Sequence, residues 1–409
     1  MPPRSQHSRK GSALLQDARV LDLTRFVAGP YCTLMLSDIG ADVVKVEALP
    51  AGDWTRTLEP RAADGGSHTF NQLNRGKRSI GLDYKSSEGM GLLHRLIASS
   101  DIVVENFRPG LAGRMGISYD DLAVSHPQLV FCSITGYGQT GPLHNEPAVD
   151  LVMQGMTGYM SMTGSSPAEP ARIGFAVTDL LAGTKAAFAI LAAYIERLNS
   201  GIGQHVDIAM FDAALSWTVL EAAAFFGAGE EPVPTGTRHR RTAPYQAYMA
   251  ADGHLVVGAA TDDMWQRFCR EVVNRPKWLE DERFISAADR VRNVAQLEAA
   301  IETVFSTRPR SHWLERLQQS GIPAGPVNSY AQALSHPQVL ARGMVSEVAD
   351  PISGPHKLLG APYKFSRSGT KRPVPAPRLG DSTREIAHEL GYSDSEIDVL
   401  GTMGAIALP

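Results

Sequence analysis

The sequence has few of the residues that would place the protein in a specialised class. It contains 3 cysteines among 409 residues, Cys32, Cys132 and Cys269, and they lie far apart with no C-x-x-C pair. This pattern argues against a disulfide framework or a cysteine zinc site, and it predicts buried thiols in a reducing, cytoplasmic protein. The formal net charge is only −4. The chain therefore has no excess of positive charge with which to hold nucleic acid or an anionic membrane.

Long apolar runs and paired histidines are also missing. The longest apolar stretch, LLAGTKAAFAILAAY, contains Lys185 and is shorter than the roughly 20 residues that cross a bilayer. The histidines are scattered, without the spacing of a metal site. We expect a soluble protein with no metal, no nucleic acid and no membrane among its partners. The polar, basic residues 1–14 are typical of a disordered leader.

The order of apolar segments predicts an α/β fold. An apolar run at residues 19–24, a helical segment with Pro30 in its first turn and a second run at 41–47 form one strand–helix–strand unit. A unit of about 30 residues of this kind makes parallel strands covered by helices. The pattern continues with strands at 78–83, 101–106 and 128–134. A long apolar helix at 176–199 is predicted to lie in the core.

Composition changes at residues 227–244, which are rich in Gly, Pro and Arg and indicate a linker or a functional loop. Within it, RHRR (238–241) is either a solvated charge run, a subunit contact, or a site that binds a carboxylate through Arg. Another polar set lies in loops next to predicted strands, where α/β proteins bind anions. These residues fit either a phosphate-bearing ligand or a solvated surface: Asn74, Arg75, Lys77, Arg78, Asn106, Arg108 and Arg114.

The segment GYGQTG (136–141) has the spacing of a dinucleotide-binding glycine motif. That function requires a helix that begins within the motif, so that its N–H groups meet the pyrophosphate. Pro142 and Pro147 follow and prevent a helix until about Ala148. The glycines are therefore better explained by a loop that closely approaches another group.

A lone carboxylate follows this loop. Asp150 stands among Val149, Leu151, Val152 and Met153, with no Lys, Arg or His between His144 and Arg172. A charge that is buried without a partner is costly, and such groups cluster at functional sites. We expect Asp150 to be buried, unpaired and catalytic.

Six segments together resemble the family III CoA-transferases, which include formyl-CoA, carnitine and succinyl-CoA-dependent dicarboxylate transferases. The segments are DLTRFVAGPYCTLMLSDIGADVVKVE, LNRGKRSIGLD, VENFRPG, RMGISYDDL, SITGYGQTGP and PAPRLGDST. The resemblance implies a homodimer of interlocked rings. Each chain would have a large Rossmann-like CoA-binding domain at residues 15–225 and 331–409 and a smaller α+β domain at 226–330.

The resemblance also assigns site residues. The family's catalytic aspartate falls on Asp150. Its CoA-contacting positions fall on Val27, Ala28, Asn74, Arg75, Lys77, Asn106, Phe107, Arg108, Arg114, Tyr137 and Gly138. The chain departs from the formyl-CoA transferases at Val27, at Ala48 and in the loop GTRHRRTAPYQ, which replaces their glycine-rich substrate loop. These departures point away from formate and oxalate. The loop instead resembles that of succinyl-CoA:dicarboxylate transferases, with Arg238 and Arg240 as substrate ligands.

The implied reaction moves CoA from an acyl-CoA to a small carboxylic acid through an aspartyl anhydride and an aspartyl-CoA thioester, with no permanently bound cofactor. Three alternatives remain. The first is a transferase that accepts a monocarboxylic acid. The second is an α-methylacyl-CoA racemase, which would need a histidine where Val149 stands. The third is a CoA-binding regulatory protein without activity.

Overall fold

A computed structural model describes residues 13–62, 65–350 and 352–408, so the predicted leader lies outside it except for its last two residues. The chain forms two compact units. The first contains the described residues up to Thr157, Ile173–Ala228 and those from Gln338 onward; the second contains Gly158–Arg172 and Gly229–Pro337. The predicted domain bounds differ from these units mainly in Gly158–Arg172, which the prediction placed in the large domain.

The first unit is built on a six-stranded sheet whose strands are all parallel. This confirms the predicted α/β class. The order is β3-β2-β1-β4-β5-β6. The direction in which successive strands are added to the sheet reverses between β1 and β4. In parallel sheets such a reversal leaves a crevice at the carboxyl ends of the strands. The strands are β1 (Arg19–Asp22), β2 (Asp42–Ala48), β3 (Arg78–Leu82), β4 (Ile102–Glu105), β5 (Val130–Thr135) and β6 (His205–Ala209).

Among the described residues from β1 to Ala228 there are ten helices. They are α1 (Ala28–Asp38), α2 (His68–Asn74), α3 (Ser87–Ala98), α4 (Leu111–Arg114), α5 (Tyr119–Leu122), α6 (Asp150–Met156), α7 (Tyr159–Met162), α8 (Val177–Ser200), α9 (Met210–Leu215) and α10 (Val219–Ala228). A short 3₁₀ helix spans Trp54–Thr57. Residues 216–218 separate α9 from α10. Ser216 and Thr218 bond backwards to the carbonyls of Ala213 and Leu215 and thereby end α9.

Helix α8 spans 24 residues, more than the apolar run indicates, and it is long and apolar enough to cross a membrane. The sequence argument that it is too short is therefore wrong. Half of its most apolar 18-residue segment is buried within the fold, as in a core helix. It packs closely along α1, because a Cβ added at Gly183 would lie 2.5 Å from the Ala28 carbonyl oxygen.

The second unit contains a three-stranded antiparallel sheet and helices around an aromatic core. Its strands are β7 (Tyr245–Ala250), β8 (Gly253–Gly258) and β9 (Ala324–Pro326), of which the sequence predicts only β8. Its helices after β8 are α11 (Asp262–Arg267), α12 (Ala287–Arg292), α13 (Val294–Phe305), α14 (Arg310–Gln319) and α15 (Tyr330–Leu334), with a π-helical turn at Phe268–Val272 and a 3₁₀ turn at Pro276–Leu279. Trp265, Phe268 and Phe305 are buried at its centre.

The end of the chain returns to the first sheet. After α16 (Pro337–Ala341) comes an unpredicted antiparallel hairpin, β10 (Val345–Asp350) and β11 (Gly354–Leu359). Two short helices follow, α17 (Thr383–Glu389) and α18 (Asp394–Thr402), as predicted. Ile386 and Ile397 from these helices are buried with Leu82 of β3 in one apolar core. The first unit is therefore assembled from distant parts of the chain.

Cys32, Cys132 and Cys269 are buried free thiols, which confirms the prediction. In residues 13–62, 65–350 and 352–408 there is no group of three or more His, Cys, Asp or Glu side chains placed to hold a metal ion.

Candidate active site

Asp150 is the first residue of α6, and its carboxylate is held by three donors. Gln154 Nε2 donates to Oδ2 at 2.8 Å. The Thr178 backbone N–H and hydroxyl both donate to Oδ1 at 2.9 Å. Thr178 lies in the first turn of α8, where unpaired helix N–H groups favour a negative charge. The fold thus holds this carboxylate between two helices.

The prediction that Asp150 is buried and unpaired is wrong. The carboxylate is partly exposed, and Val149 beside it is 60 % exposed. One partner, Thr178, comes from 28 residues further along, so inspection of the neighbouring sequence could not reveal it. All three donors are neutral, and within the described residues no cation forms an ion pair with Asp150. Its charge is therefore oriented but not neutralised.

Gln154 is a site residue that the sequence analysis missed. It is fully buried, and its Oε1 accepts the Ile173 N–H at 2.8 Å while its Nε2 donates to Asp150. Both ends of the amide are therefore occupied, which fixes its orientation. Its position four residues after Asp150 on one helix was the available signal, because side chains at that spacing meet.

A second carboxyl group, Asp179, was also missed. It follows Thr178 in α8 and accepts a hydrogen bond from the Ala28 N–H. Burial, and after it the nearby charge of Asp150, raises the pKa of Asp179 to about 7. The site therefore contains two carboxyl groups that differ in their donors.

The loops after β1 and β4 are joined across the crevice. Asn106 Oδ1 accepts the Arg25 N–H at 2.8 Å, and Asn106 Nδ2 donates to the Arg25 carbonyl at 2.7 Å. Val27 ends the loop after β1, Ala28 begins α1, and Phe107 is buried next to Asn106. A cavity of about 90 Å³ lies between these loops, and its lining includes Arg25, Ala48 and Phe107. Four of the predicted CoA-contacting positions are thus brought to one crevice.

Three other predicted CoA-contacting residues are buried. Lys77 Nζ donates to Asp22 Oδ2 at 2.9 Å, to the Pro30 carbonyl at 3.0 Å and to Asn74 Oδ1 at 2.8 Å. Arg75 binds both oxygens of Asp38, at 3.0 and 2.7 Å. These side chains brace the loop before β3 in the structure rather than offering a cation to solvent.

Arg108 and Arg114 are exposed, and neither forms an ion pair with the residues that the structure describes. Arg108 lines a cavity of about 340 Å³ whose wall includes Glu105, Ser133 and His205. Ser133 Oγ lies 2.9 Å from His205 Nε2 and also bonds Glu105. Burial raises the pKa of Glu105 to about 7 and lowers that of His205. Glu105 lies in the segment VENFRPG and was passed over there, whereas His205 belongs to none of the six segments.

Tyr137 and Gly138 lie in the loop after β5. Gly138 has φ +88°, which favours glycine, and its N–H donates to Thr135 Oγ1 at 2.9 Å. The Tyr137 hydroxyl donates to Met156 Sδ at 3.2 Å, which links the loop to the end of the helix that begins at Asp150. The next helix after β5 starts at Asp150 rather than within GYGQTG, so the prediction against a dinucleotide motif is confirmed.

Arg238 and Arg240 line one cavity of about 420 Å³ within the second unit, together with Thr237, His239 and Glu298. Arg238 forms an ion pair with Glu298. Arg240 Nη2 donates to the carbonyls of Val233 at 3.1 Å and Met162 at 3.2 Å. Both candidate substrate ligands are therefore held in place at a cavity wall, and Arg240 bonds to carbonyl oxygens there.

Comparison with known proteins identifies the family. Residues 15–383 match the model of CoA-transferase family III. The chain belongs to CoA-transferase family III. It is therefore an enzyme that transfers CoA, and the CoA-binding protein without activity is excluded as an interpretation. CoA-transferases use CoA thioesters as substrates.

Individual relatives cover almost the whole chain. Succinyl-CoA:glutarate CoA-transferase of Mus musculus is 36% identical over 96% of this chain and 90% of its own length. Acetyl-CoA:oxalate CoA-transferase of Acetobacter aceti is 34% identical, with coverage of 92% and 96%. The crystal structure of a CAIB/BAIF family protein from Brucella suis superposes with a TM-score of 0.83 at 36% identity, covering 93% of this chain and 100% of that one. Both named relatives act on dicarboxylic acids.

Proposed function

We propose that this enzyme moves CoA from succinyl-CoA to a small dicarboxylic acid, with Asp150 as the nucleophile. The observation that carries the proposal is the setting of Asp150, whose carboxylate is partly exposed and held by three neutral donors. A carboxylate that an ion pair does not neutralise retains its nucleophilicity, and its donors fix the direction of attack.

The proposed reaction has two halves: CoA passes from succinyl-CoA to Asp150, and then from Asp150 to the acceptor acid. A carboxylate oxygen attacks the thioester carbonyl, the C–S bond breaks, and CoA leaves as the thiolate, giving a mixed anhydride. The thiolate then attacks the Asp150 carbonyl carbon, which releases succinate and leaves an aspartyl-CoA thioester. The acceptor carboxylate attacks the thioester carbonyl, the C–S bond breaks, and the CoA thiolate departs, leaving a second mixed anhydride. The thiolate then attacks the acceptor's acyl carbon and releases the Asp150 carboxylate. The products are a new acyl-CoA and free Asp150.

The two oxygens of Asp150 have different partners and therefore different proposed roles. Thr178 directs both its N–H and its hydroxyl at Oδ1, each at 2.9 Å. Two donors on one oxygen resemble an oxyanion hole, which stabilises charge that develops there when the thiolate attacks the Asp150 carbonyl carbon. Oδ2 has the single Gln154 donor and is assigned as the attacking oxygen.

The CoA moiety is assigned to the crevice of the first unit. Arg108 and Arg114 are exposed cations near the loop after β4 and are proposed to bind its phosphate groups. Val27, Ala28, Asn106, Phe107, Tyr137 and Gly138 would contact it through loop backbone and apolar surface. Asn74, Arg75 and Lys77 are assigned to supporting these loops, because their side chains are buried in the structure.

Arg238 and Arg240 are proposed to select a dicarboxylic acid. A monocarboxylic acid becomes neutral once it is esterified, whereas a dicarboxylic acyl group keeps one negative charge for Arg to bind. A charged hydrogen bond contributes about 1.5–3 kcal/mol, which corresponds to roughly a 10- to 150-fold preference.

A homodimer is also proposed, and exposed apolar side chains on the first unit support it. Phe188 on α8 is 73 % exposed and Phe226 on α10 is 84 % exposed. Large apolar surfaces of this kind are usually covered by a partner. Light scattering at micromolar concentration should show a dimer, and a stable monomer would contradict this part of the proposal.

The nucleophile is tested by trapping the intermediate. The enzyme is incubated with succinyl-CoA without an acceptor and digested, and the peptides are analysed by mass spectrometry. We expect the mass of CoA on the peptide that contains Asp150, its removal by hydroxylamine, and no adduct in Asp150→Asn. An adduct on a different carboxylate would refute the assignment. A racemase would instead exchange the α-proton of its substrate with deuterium from the solvent, and we expect no exchange.

The substrate class is tested by comparing succinate with butyrate as acceptors. We expect wild type to prefer succinate, and Arg238→Ala or Arg240→Ala to reduce that preference. Arg241→Ala is the matched control, because Arg241 lies in the same loop but is not among the residues that line the cavity with Arg238 and Arg240, and it pairs with the exposed Glu230 at 2.7 Å. Equal use of the two acids by wild type would contradict the dicarboxylate proposal. A preference unchanged in both variants would place the carboxylate ligand elsewhere.

A further inference from the structure

The loop between β1 and α1 contains a residue in a strained backbone conformation. Phe26 has φ +66°, and Asn274 is the only other residue besides glycine with a positive φ in the part of the chain that the structure describes. Residues with a Cβ rarely adopt this left-handed region, because the Cβ then approaches the following carbonyl oxygen. Phe26 directly precedes Val27 and Ala28, which are assigned to CoA. The strain lies at the edge of the proposed CoA site, and the surrounding structure must maintain it.

The side chain of Phe26 is too exposed to fix this conformation. It is 46 % exposed, and its ring contacts the Trp54 ring at a centroid distance of 5.5 Å. Trp54 is itself more than half exposed. Because two rings that both face solvent bury little apolar surface, they restrain the backbone only weakly. The restraint must therefore come from bonds to the backbone.

Other parts of the first unit hold the backbone of this loop residue by residue. Lys45 Nζ donates to the Thr24 carbonyl at 2.9 Å. Asn106 bonds both backbone groups of the next residue. Asp53 Oδ1 accepts the Phe26 N–H at 3.3 Å. Asp53 therefore provides the bond at the strained residue itself.

The Asp53 carboxylate is fixed within the interior of the unit. It is 1 % exposed, and its Oδ2 lies 2.9 Å from Nζ of Lys45, which is also fully buried. Its Oδ1 also accepts the N–H and the hydroxyl of Thr55, each at 2.9 Å. Because separating two buried charges is costly, the pair stays in place. The pair contacts the loop at two points, through Lys45 at Thr24 and through Asp53 at Phe26.

We propose that Asp53 is a positioning residue, which holds Phe26 in the left-handed conformation and thereby places Val27 and Ala28 for contact with CoA. This rests on the proposed assignment of CoA to this crevice. The cavity of about 90 Å³ between the loops is lined by both Asp53 and Arg25, so the restraint borders the proposed site directly. Without the bond to Asp53, the ordinary region of φ should gain about 5- to 30-fold over the left-handed one, and CoA binding would have to reverse that shift.

The test combines Asp53→Ala with Phe26→Gly and measures CoA binding by calorimetry, together with kcat and the KM for succinyl-CoA. We expect Asp53→Ala to weaken CoA binding by about 5- to 30-fold and to raise KM more than it lowers kcat. Glycine adopts a positive φ without the Cβ penalty, so the double variant should bind CoA within about threefold of wild type. Asn274→Gly is the matched control, because it relieves the same strain in the second unit and should not rescue Asp53→Ala.

Three results would overturn the positioning role. They are unchanged CoA binding in Asp53→Ala, no rescue by Phe26→Gly, and equal rescue by Asn274→Gly. A loss in Phe26→Gly alone as large as that in Asp53→Ala would also refute it, because the Phe26 ring and not its backbone would then matter.

Arg108→Ala distinguishes this failure from failure of the proposed CoA site. If CoA binds outside the crevice, Arg108→Ala and Asp53→Ala should both leave its affinity unchanged. If only the positioning role is wrong, Arg108→Ala should weaken binding and Asp53→Ala should not.

A second pair of variants remains if Asp53→Ala fails to fold, because that change leaves Lys45 buried without its carboxylate. Lys45→Met combined with Asp53→Leu removes both charges and keeps similar side-chain volumes, and such replacement of a buried pair is often tolerated. We expect this protein to bind CoA weakly, and Phe26→Gly to improve its affinity by about fivefold or more. No improvement would refute the positioning role.

Discussion

Two carboxylates of the first unit, Asp22 and Asp150, illustrate opposite uses of the same group. Asp22 ends β1, is fully buried, and accepts bonds from Lys77, Thr24 and Thr33. Burial raises its pKa, but the Lys77 and Lys45 charges and the hydroxyl donors outweigh burial and hold that pKa well below its usual range. Asp150 is partly exposed and bonded to neutral groups only, among the residues that the structure describes.

The difference distinguishes a carboxylate that stabilises the fold from one that is placed to react. The ion pair between Asp22 and Lys77 holds the loops around the crevice in place. The Asp22 carboxylate is fully buried, so solvent does not reach it. Asp150 has a carboxylate oriented by neutral donors, and the residue is partly exposed. A buried cation therefore identifies a structural carboxylate, whereas neutral donors and partial exposure identify a candidate nucleophile. The following changes test this distinction, beginning with the largest expected effect.

Asp150→Asn should abolish turnover while leaving the fold intact. Loss of a nucleophile costs about 10⁴-fold or more in kcat, whereas the amide keeps the shape of the side chain. Steady-state assays with succinyl-CoA measure the first effect, and urea unfolding measures the second. A stability loss as large as that of an Asp22 variant would show that Asp150 is structural too.

Asp22→Asn should have the opposite effect and destabilise the protein strongly. The change leaves Lys77 buried next to a neutral amide, whereas Lys45 keeps its ion pair with Asp53, and breaking a buried ion pair costs about 3–5 kcal/mol. Urea unfolding should show this loss relative to wild type, with Asp150→Asn as the control near zero. A loss below about 1 kcal/mol would mean that the lysines find other partners or water.

Much of the fold could be predicted, because the strands of the parallel sheet are buried on both faces and appear as continuous apolar runs. The strands β7 and β9 were missed. Tyr245–Ala250 is exposed at alternate positions, and Ala324–Pro326 has three residues and a terminal proline. The hairpin β10–β11 alternates polar and apolar residues too weakly to stand out from the loops around it.

The site was only partly predictable for a related reason. Asp150 was found through its family motif and its apolar neighbours, but its partners were not. Thr178 and Asp179 reach it through the packing of α8, and a sequence motif does not encode that contact. In the sequence, Lys77 could not be distinguished from a cation that binds a ligand. In the structure it pairs with Asp22, 55 residues earlier in the chain. Burial decides such cases, and the sequence does not show it.

Gly183→Ala tests whether the setting of Asp150 depends on the packing of α8. The new methyl group would lie 2.5 Å from the Ala28 carbonyl oxygen and 3.3 Å from the Cys32 nitrogen. We expect a loss of about 2–3 kcal/mol in unfolding free energy, because backbone must move, together with reduced turnover. Gly91→Ala is the matched control on helix α3, since its added Cβ meets nothing within 4 Å. That control should gain about 0.5–1 kcal/mol. Equal behaviour of the two variants would contradict the close approach of α8 and α1.

Glu105 completes the comparison, because it is buried as Asp22 is but has neutral donors as Asp150 has. It accepts bonds from Ser133 and from the Phe107 N–H, and burial raises its pKa from 4.5 to about 7. Between pH 4.5 and about 7 the unfolded chain releases this proton while the folded protein keeps it. Wild type must therefore lose stability over that window as the pH rises.

Glu105→Gln removes this titration. It therefore tests whether burial alone, without a cationic partner, keeps a carboxyl group protonated. The difference in unfolding free energy between the variant and wild type should shift by about 1–2 kcal/mol in favour of the variant from pH 4.5 to 7, and then stay level. Urea unfolding at several pH values measures it, and contributions common to both proteins cancel. A difference that does not change with pH would mean that Glu105 is already ionised in the folded state. Burial without a cation would then be insufficient to keep a carboxyl group protonated in this crevice.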